Sequence, residues 1–184
     1  MSSNDMIMYK TFYGMHVNDW NINFGTFSNH QTLLVEEYIN VGCSTLEYST
    51  ATLTHDFIYP HHIKRKYFIE GVISGQITLG ASECTSSCTS YTVSLWKIHE
   101  SGEKNELFTT GNVVVNDTYP WDSEYELGKE IVYAFWIDAW QAVELSEKEK
   151  LFLRIEVDCT EGTVLWHSNN ATWEDVRIDI PFRL

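Results

Sequence analysis

TSYTVSLWKIHESGEKNELFTTGNVVV, residues 89 to 115, is the stretch whose reading decides the fold. Val93 and Leu95 alternate with Thr92 and Ser94, the period-two signature of a strand with one buried face. A polar run, His99-Glu100-Ser101-Gly102-Glu103, follows with Ser101-Gly102 as its turn dipeptide. Leu107 to Val115 then predicts the returning strand. The stretch is a β-hairpin with a charged tip and an apolar body.

Working outward, strand signals repeat from Ala51 onward. Ala51 to Tyr59 predicts one strand, stopped by Pro60, which has no N–H for a ladder. Tyr67 to Leu79 predicts the longest, with Ile69, Ile73, Ile77 and Leu79 on one face and Glu70, Ser74, Gln76 and Thr78 on the other. Gly71 and Gly75 fall on the apolar face, where a crossing element approaches closely or the strand bends. Asn116 to Lys129 reads as a long loop. Glu130 to Asp138, EIVYAFWID, has large residues on both parities, the pattern of a strand covered on both faces. Ser146-Glu147-Lys148-Glu149 fits a capping box and predicts a single helical turn. Leu151, Leu153, Ile155 and Val157 alternate with polar and aromatic residues, and Thr163 to His167 and Val176 to Ile180 complete the series. About eight strands with turn signals between them predict an all-β fold. The expected form is an antiparallel β-sandwich, jelly-roll-like, over residues 51–184.

Residues 1–50 have a different texture. Tyr9, Phe12, Tyr13, Trp20, Phe24 and Phe27 are scattered among Asn, Ser, Gly and Thr with no sustained period. Such a segment has stacking surface but no core of its own, so it is expected to be an extended N-terminal arm lying on something else. Gln31 to Val41 fits a strand or a short helix equally well.

Composition excludes several classes. Hydrophobic residues at 43% and aromatics at 14% of 184 residues exclude a disordered chain. A net charge of -14 argues against a nucleic-acid partner, because phosphate neutralisation needs clustered cations. Lys64-Arg65-Lys66 is the one basic cluster, and it reads as a solvated strand entry. No apolar run approaches the length of a membrane helix, and the first residues lack the pattern of an export signal. The sequons at Asn116 and Asn170 therefore read as chance, and no membrane partner is expected.

The candidate chemistry is sparse. Cys84 and Cys88 lie in a polar connection, with Cys43 and Cys159 far away in sequence. Free thiols are favoured over a local disulfide or half a zinc site, and Cys159 keeps the inward parity of its strand. His55, Asp56, His61 and His62 are the densest cluster of potential ligands, but a strand alternates its faces and Pro60 interrupts the run. Asp138, Glu156 and Asp158 are carboxylates at strand positions, and nothing marks one as desolvated. No G-x-S-x-G, no H-E-x-x-H and no phosphate-cradling glycine loop occurs. The expectation is a protein without catalytic residues, metal or cofactor.

The tryptophans are the remaining signal. Trp96, Trp136, Trp140, Trp166 and Trp173 belong to the strand region, and Trp121 to the long loop. On a sheet face they fit either a platform for sugar rings or a protein interface. Trp96 falls on the polar parity of its strand, and interface is preferred over sugar. The contact candidates are Tyr13, Trp20, Phe24, Trp96, Trp121, Trp140 and Trp173.

TSYTVSLWKIHESGEKNELFTTG, with KEKLFLRIEV and the closing DIPFRL, resembles a class of small jelly-roll virion proteins of tailed bacterial and archaeal viruses. The resemblance covers residues 51–184. It implies a capsid decoration, vertex or fibre-base protein without catalytic residues, located in the virion and assembled in the host cytoplasm. Its partners would be other virion proteins and copies of itself. The second reading is a carbohydrate-binding, lectin-like module with a glycan ligand.

Overall fold

A computed structural model describes residues 7–17, 31–36, 45–48, 52–81, 86–122, 127–128, 130–160, 163–166 and 176–183. The strands are β1 (Ile7–Val17), β2 (Gln31–Val35), β3 (Thr45–Tyr48), β4 (Thr52–Ile58), β5 (Tyr67–Ala81) and β6 (Ser86–Ile98). Then come β7 (Lys104–Thr109), β8 (Val113–Tyr119), β9 (Trp121–Asp122) and β10 (Leu127–Gly128). The chain finishes with β11 (Glu130–Leu145), β12 (Lys150–Cys159), β13 (Thr163–Trp166) and β14 (Val176–Arg183). The fold is all-β.

One 12-stranded sheet runs β3-β13-β5-β14-β1-β2-β4-β12-β6-β7, with β11 beside β5 and β8 beside β6. Its pairs are antiparallel apart from β2 and β4, which run parallel and meet at one residue pair, Leu33 and Ile58. The sheet curls until β11 faces β7 and β8 across a seam, giving a nearly closed barrel in place of the expected antiparallel sandwich. Side chains stitch that seam at both ends. Tyr133 of β11 donates to Asp117 of β8 at 2.7 Å and shares a 2.6 Å bond with Tyr119. At the other end Lys97 of β6 donates to the Glu144 carbonyl of β11 at 3.3 Å.

The core follows the alternation. Ile69, Ile73, Ile77 and Leu79 of β5 are buried against Val93 and Leu95 of β6, Leu153 and Ile155 of β12, and Ile178 and Ile180 of β14. Each such side chain stabilises the fold by about 1.5–3 kcal/mol on leaving water. Two of the three β5 glycines, Gly71 and Gly75, are structural. A Cβ on Gly75 would lie 2.2 Å from the Arg177 carbonyl and 2.6 Å from the Phe135 ring, so three strands close on a point that admits no side chain. Gly71 has φ +131, which L side chains rarely adopt, and a Cβ there would meet Pro181 at 3.4 Å. Beside it β14 slips register between Asp179 and Phe182, and Pro181 occupies the slip. On the opposite edge β11 bulges between Ala139 and Val143.

Several expectations are corrected. The described residues of the segment read as an arm join the sheet: β1 pairs with both β14 and β2, and β3 pairs with β13. Phe12 and Leu34 belong to the core. The strand read as Leu107–Val115 is two strands, β7 and β8, both paired with β6. Gly111 adopts φ +65 at the break, and Thr110 bonds Val93 through its own N–H and its hydroxyl. The loop read from Asn116 begins later, because β8 continues to Tyr119. Residues 146–149 form a turn rather than a helical turn, yet the Glu149 carboxylate still accepts from the Ser146 N–H at 2.8 Å. Finally, β11 is covered on one face only. Phe135, Ile137 and Ala139 are buried, whereas Val132, Trp136 and Trp140 are exposed.

Candidate functional site

The outward face of β11 carries the largest apolar exposure among the described residues. Trp136 is 69% exposed, Trp140 70% and Val132 51%. Trp136 stands opposite Ser74 of β5, whose next neighbour is Asp179 of β14, opposite Thr11 of β1. Trp140 opens the bulge, where residues 140–142 of β11 lie against Glu70 alone of β5. A bulge bends its strand and re-aims side chains, and here Trp140, Gln141 and Ala142 are all exposed. The two indoles sit about 13 Å apart along the strand. Acidic residues lie in the same row, with Glu130 and Asp138 exposed.

The sequence candidates scatter around this face. Tyr13 shares it: through Arg177 and Gln76 its row reaches Ala134, about 14 Å away across three strand spacings. Tyr13 is half-buried. Trp20, Phe24 and Trp173 lie outside the described residues, as does the side chain of Trp121. The sequence reading places Trp136, the indole beside Trp140, with the strand tryptophans but not among the contact candidates. The even parity of EIVYAFWID was its signal, since an alternating strand must turn one set outward.

Trp96 is on the outward parity of β6, as the sequence predicts, but it is not a free platform. Its ring stacks on Phe152 at 5.7 Å, its Nε1 donates to Ser94, and the Arg154 guanidinium lies over it at 4.9 Å. Arg154 in turn makes two hydrogen bonds to Asp56, at 2.7 and 2.9 Å. Burial by itself would raise the Asp56 pKa, but the Arg154 hydrogen bonds and charge, with Lys104 beside them, hold it below the usual carboxylate value. The pair therefore stays ionised and locks an aromatic ladder on the outer face.

The histidine cluster does not converge. His55 packs by Phe57, Asp56 binds Arg154, His61 stacks edge-on with Tyr59, and His62 Nδ1 sits 2.6 Å from the Lys148 carbonyl. Cys88 and Cys159 are buried free thiols that face each other across β6 and β12. Burial pushes Cys88 up to about 11, which leaves it protonated and inert at neutral pH. Cys43 and Cys84 lie outside the described residues. Glu149, whose role the sequence hid inside a capping box, is a buried carboxylate held by Lys97 at 3.0 Å and His99 at 2.8 Å.

A concavity opens where β2 and β4 part after their single pairing. Its volume is about 460 Å³, within the range of small-molecule sites. Phe12, Tyr59, Tyr67 and Phe182 line it with edge-to-face contacts, Phe12 to Tyr59 at 5.5 Å and Tyr67 to Phe182 at 5.5 Å. Glu36 sits on its wall, paired with Lys10 at 2.5 Å and accepting a hydrogen bond from the Tyr59 hydroxyl. Burial pushes the Tyr59 phenol up, and the Glu36 carboxylate adds to the shift.

Comparison with known protein families finds no match, and neither does comparison with curated proteins. Solved structures do share the fold. A CocE/NonD family hydrolase from Staphylococcus aureus matches with TM-score 0.58 at 8% identity, over 96% of this chain and 37% of that one. An aminopeptidase from a marine sediment archaeon, Thaumarchaeota archaeon, matches with TM-score 0.59 at 9% identity, again over 96% and 37%. This chain thus spans little more than a third of either. An infectious bursal disease virus structure reaches a TM-score of only 0.26 at 6% identity and carries no argument. These findings overturn the virion reading. The β-phrases that suggested it belong to a fold found in two hydrolytic proteins.

Proposed function

We propose that this chain is a non-catalytic β-domain that serves a hydrolase, docking onto its catalytic part through the Trp136–Trp140 face. One observation carries the reading: two tryptophans, each about 70% exposed, stand on the bulged outer strand of an otherwise well-packed barrel. A long apolar edge strand is a liability that proteins normally blunt with charge or cover. Tryptophan is also the residue most enriched among interface hot spots.

The similarity to 37% of two hydrolytic chains supports reading the fold as one part of a hydrolase. The chemistry of the described residues supports the same view. His99 and His62 are engaged by Glu149 and by a backbone carbonyl, and the Cys88 thiol is buried and protonated. With Glu130 and Asp138 beside the indoles, the matching surface has an apolar centre and a basic rim.

The test is sedimentation velocity, titrating the full chain with the catalytic portion of a CocE/NonD-type hydrolase from the same source. A complex is expected. Trp136→Ser and Trp140→Ser should each weaken it about thirtyfold, the equivalent of about 2 kcal/mol per hot-spot residue. Absence of a complex, or a complex indifferent to both changes, refutes the proposal. So does concentration-dependent self-association through the same face.

A further inference from the structure

The cleft between β2 and β4 is independent of the tryptophan face and has its own chemistry. Its floor is aromatic and aliphatic, formed by Phe12, Tyr59, Tyr67 and Phe182 with Ile63 and Leu151 beneath them. Its rim is lined by basic side chains. Lys64, His61 and His62 are exposed along the β4–β5 connection, and Lys10 reaches in from β1. The next residue, Arg65, lies over the Tyr67 ring at 5.1 Å.

In a chain of net charge -14, this is the place where positive groups gather. The single carboxylate in the lining, Glu36, is already neutralised by Lys10. Lys66, just outside the lining, is paired with Glu144 at 2.7 Å. Lys64 has no ion-pair partner among the described residues. The connection that carries these groups is fixed in place: Ile63 is buried and bonds Glu149 and Lys148 through its N–H and carbonyl.

We propose that this cleft binds a small amphipathic carboxylate, its apolar body among Phe12, Tyr59, Tyr67 and Phe182 and its anionic end at Lys64 and His61. A cationic ligand, the usual occupant of an aromatic box, is disfavoured by the rim of like charge. A carboxylate gains a charge-assisted contact at Lys64 that a purely apolar ligand cannot make. The volume suits a single ring or short branched chain with its acid group. The site forms because a parallel pair of one residue cannot hold β2 and β4 together beyond Leu33 and Ile58. The gap is walled by aromatic rings instead of being filled.

The test is isothermal titration of the full chain with 3-phenylpropionate as probe and 3-phenylpropionamide as its neutral isostere. The acid should bind with a Kd on the order of 1 mM, ordinary for so small a ligand, and the amide about tenfold more weakly. Lys64→Glu, a change at an exposed side chain, should weaken the acid at least about tenfold. Lys66→Glu serves as the control outside the lining and should leave binding unchanged. Because Phe182 is a core residue, the floor is probed by observing the acid's ring instead: its proton resonances should shift upfield on binding, as expected beside aromatic faces. No heat and no shifts at about 20 mM acid, a weakness beyond the range expected for so small a ligand, would overturn the proposal. Equal affinity for acid and amide, or an unaffected Lys64→Glu variant, would do the same.

Discussion

Gly75→Ala is the perturbation whose cost follows most directly from the structure. The added Cβ would stand 2.2 Å from the Arg177 carbonyl and 2.6 Å from the Phe135 ring. Moving that carbonyl from 2.2 Å out to the 3.4 Å of ordinary contact means a shift of about 1.2 Å. The ring can tilt, but the carbonyl is backbone. Gly75 stands between Phe135 of β11 and Ile178 of β14, so the shift opens the β5–β14 ladder where it is most constrained. Overpacking costs about 1–3 kcal/mol and two disturbed ladder bonds about 1 kcal/mol each, so a loss of about 3–5 kcal/mol is expected. Urea unfolding at 25 °C measures it, as a lowered midpoint with an unchanged slope. Gly102→Ala is the comparison, since nothing lies within 4 Å of that site and only its φ of +88 is strained. Its cost should stay near 1–2 kcal/mol, roughly the left-handed backbone penalty. A Gly75→Ala loss below that of Gly102→Ala would refute the reasoning.

Three further outcomes are expected. Asp56→Asn should cost about 1–2 kcal/mol at pH 7, measured by urea unfolding. Because the folded-state pKa of Asp56 is lowered, the stability it contributes is present above the unfolded value and lost as pH falls through the folded one. The gap between variant and parent should therefore close in acid, and a gap that widens in acid would contradict the Asp56–Arg154 assignment. Cys88, with its thiol pushed up to about 11, should resist iodoacetamide at pH 8 until urea is added, read by peptide mass mapping. Deleting residues 1–45 should abolish cooperative unfolding, since β1 joins β14 to β2 and Phe12 sits in the core; circular dichroism melting checks it.

What was legible in the sequence was local. The β5 alternation placed Ile69, Ile73, Ile77 and Leu79 inward, and the same parity marked Gly71 and Gly75 as points of close approach or bending; the approach is at Gly75, and Gly71 takes φ +131. The Ser101-Gly102 turn follows from its dipeptide, and Gly102 adopts φ +88 there. What was hidden depended on partners far along the chain. Residues 7–17 have no period of their own because their neighbour, β14, lies at the opposite end of the sequence. Trp96 was placed on the correct face, but its stacking on Phe152 and Arg154 is set by the register of β6 against β12. Large residues on both parities of β11 are equally consistent with two covered faces or one covered and one open. Only the position of β11 at the seam, with β5 as its one ladder partner among the described residues, decides for the second. The aromatic cleft has no local signal in the sequence because its rings come from β1, β5, β14 and the β4–β5 connection.

The most direct test of the central claim is hydroxyl-radical footprinting of Trp136 and Trp140 by mass spectrometry, with and without the hydrolase catalytic portion. In the free chain both indoles should oxidise much faster than the half-buried Trp96. On adding the catalytic portion, both should become protected while Lys64 and the cleft rim keep their reactivity. A complex that forms with Trp136 and Trp140 still fully reactive would contradict the docking face.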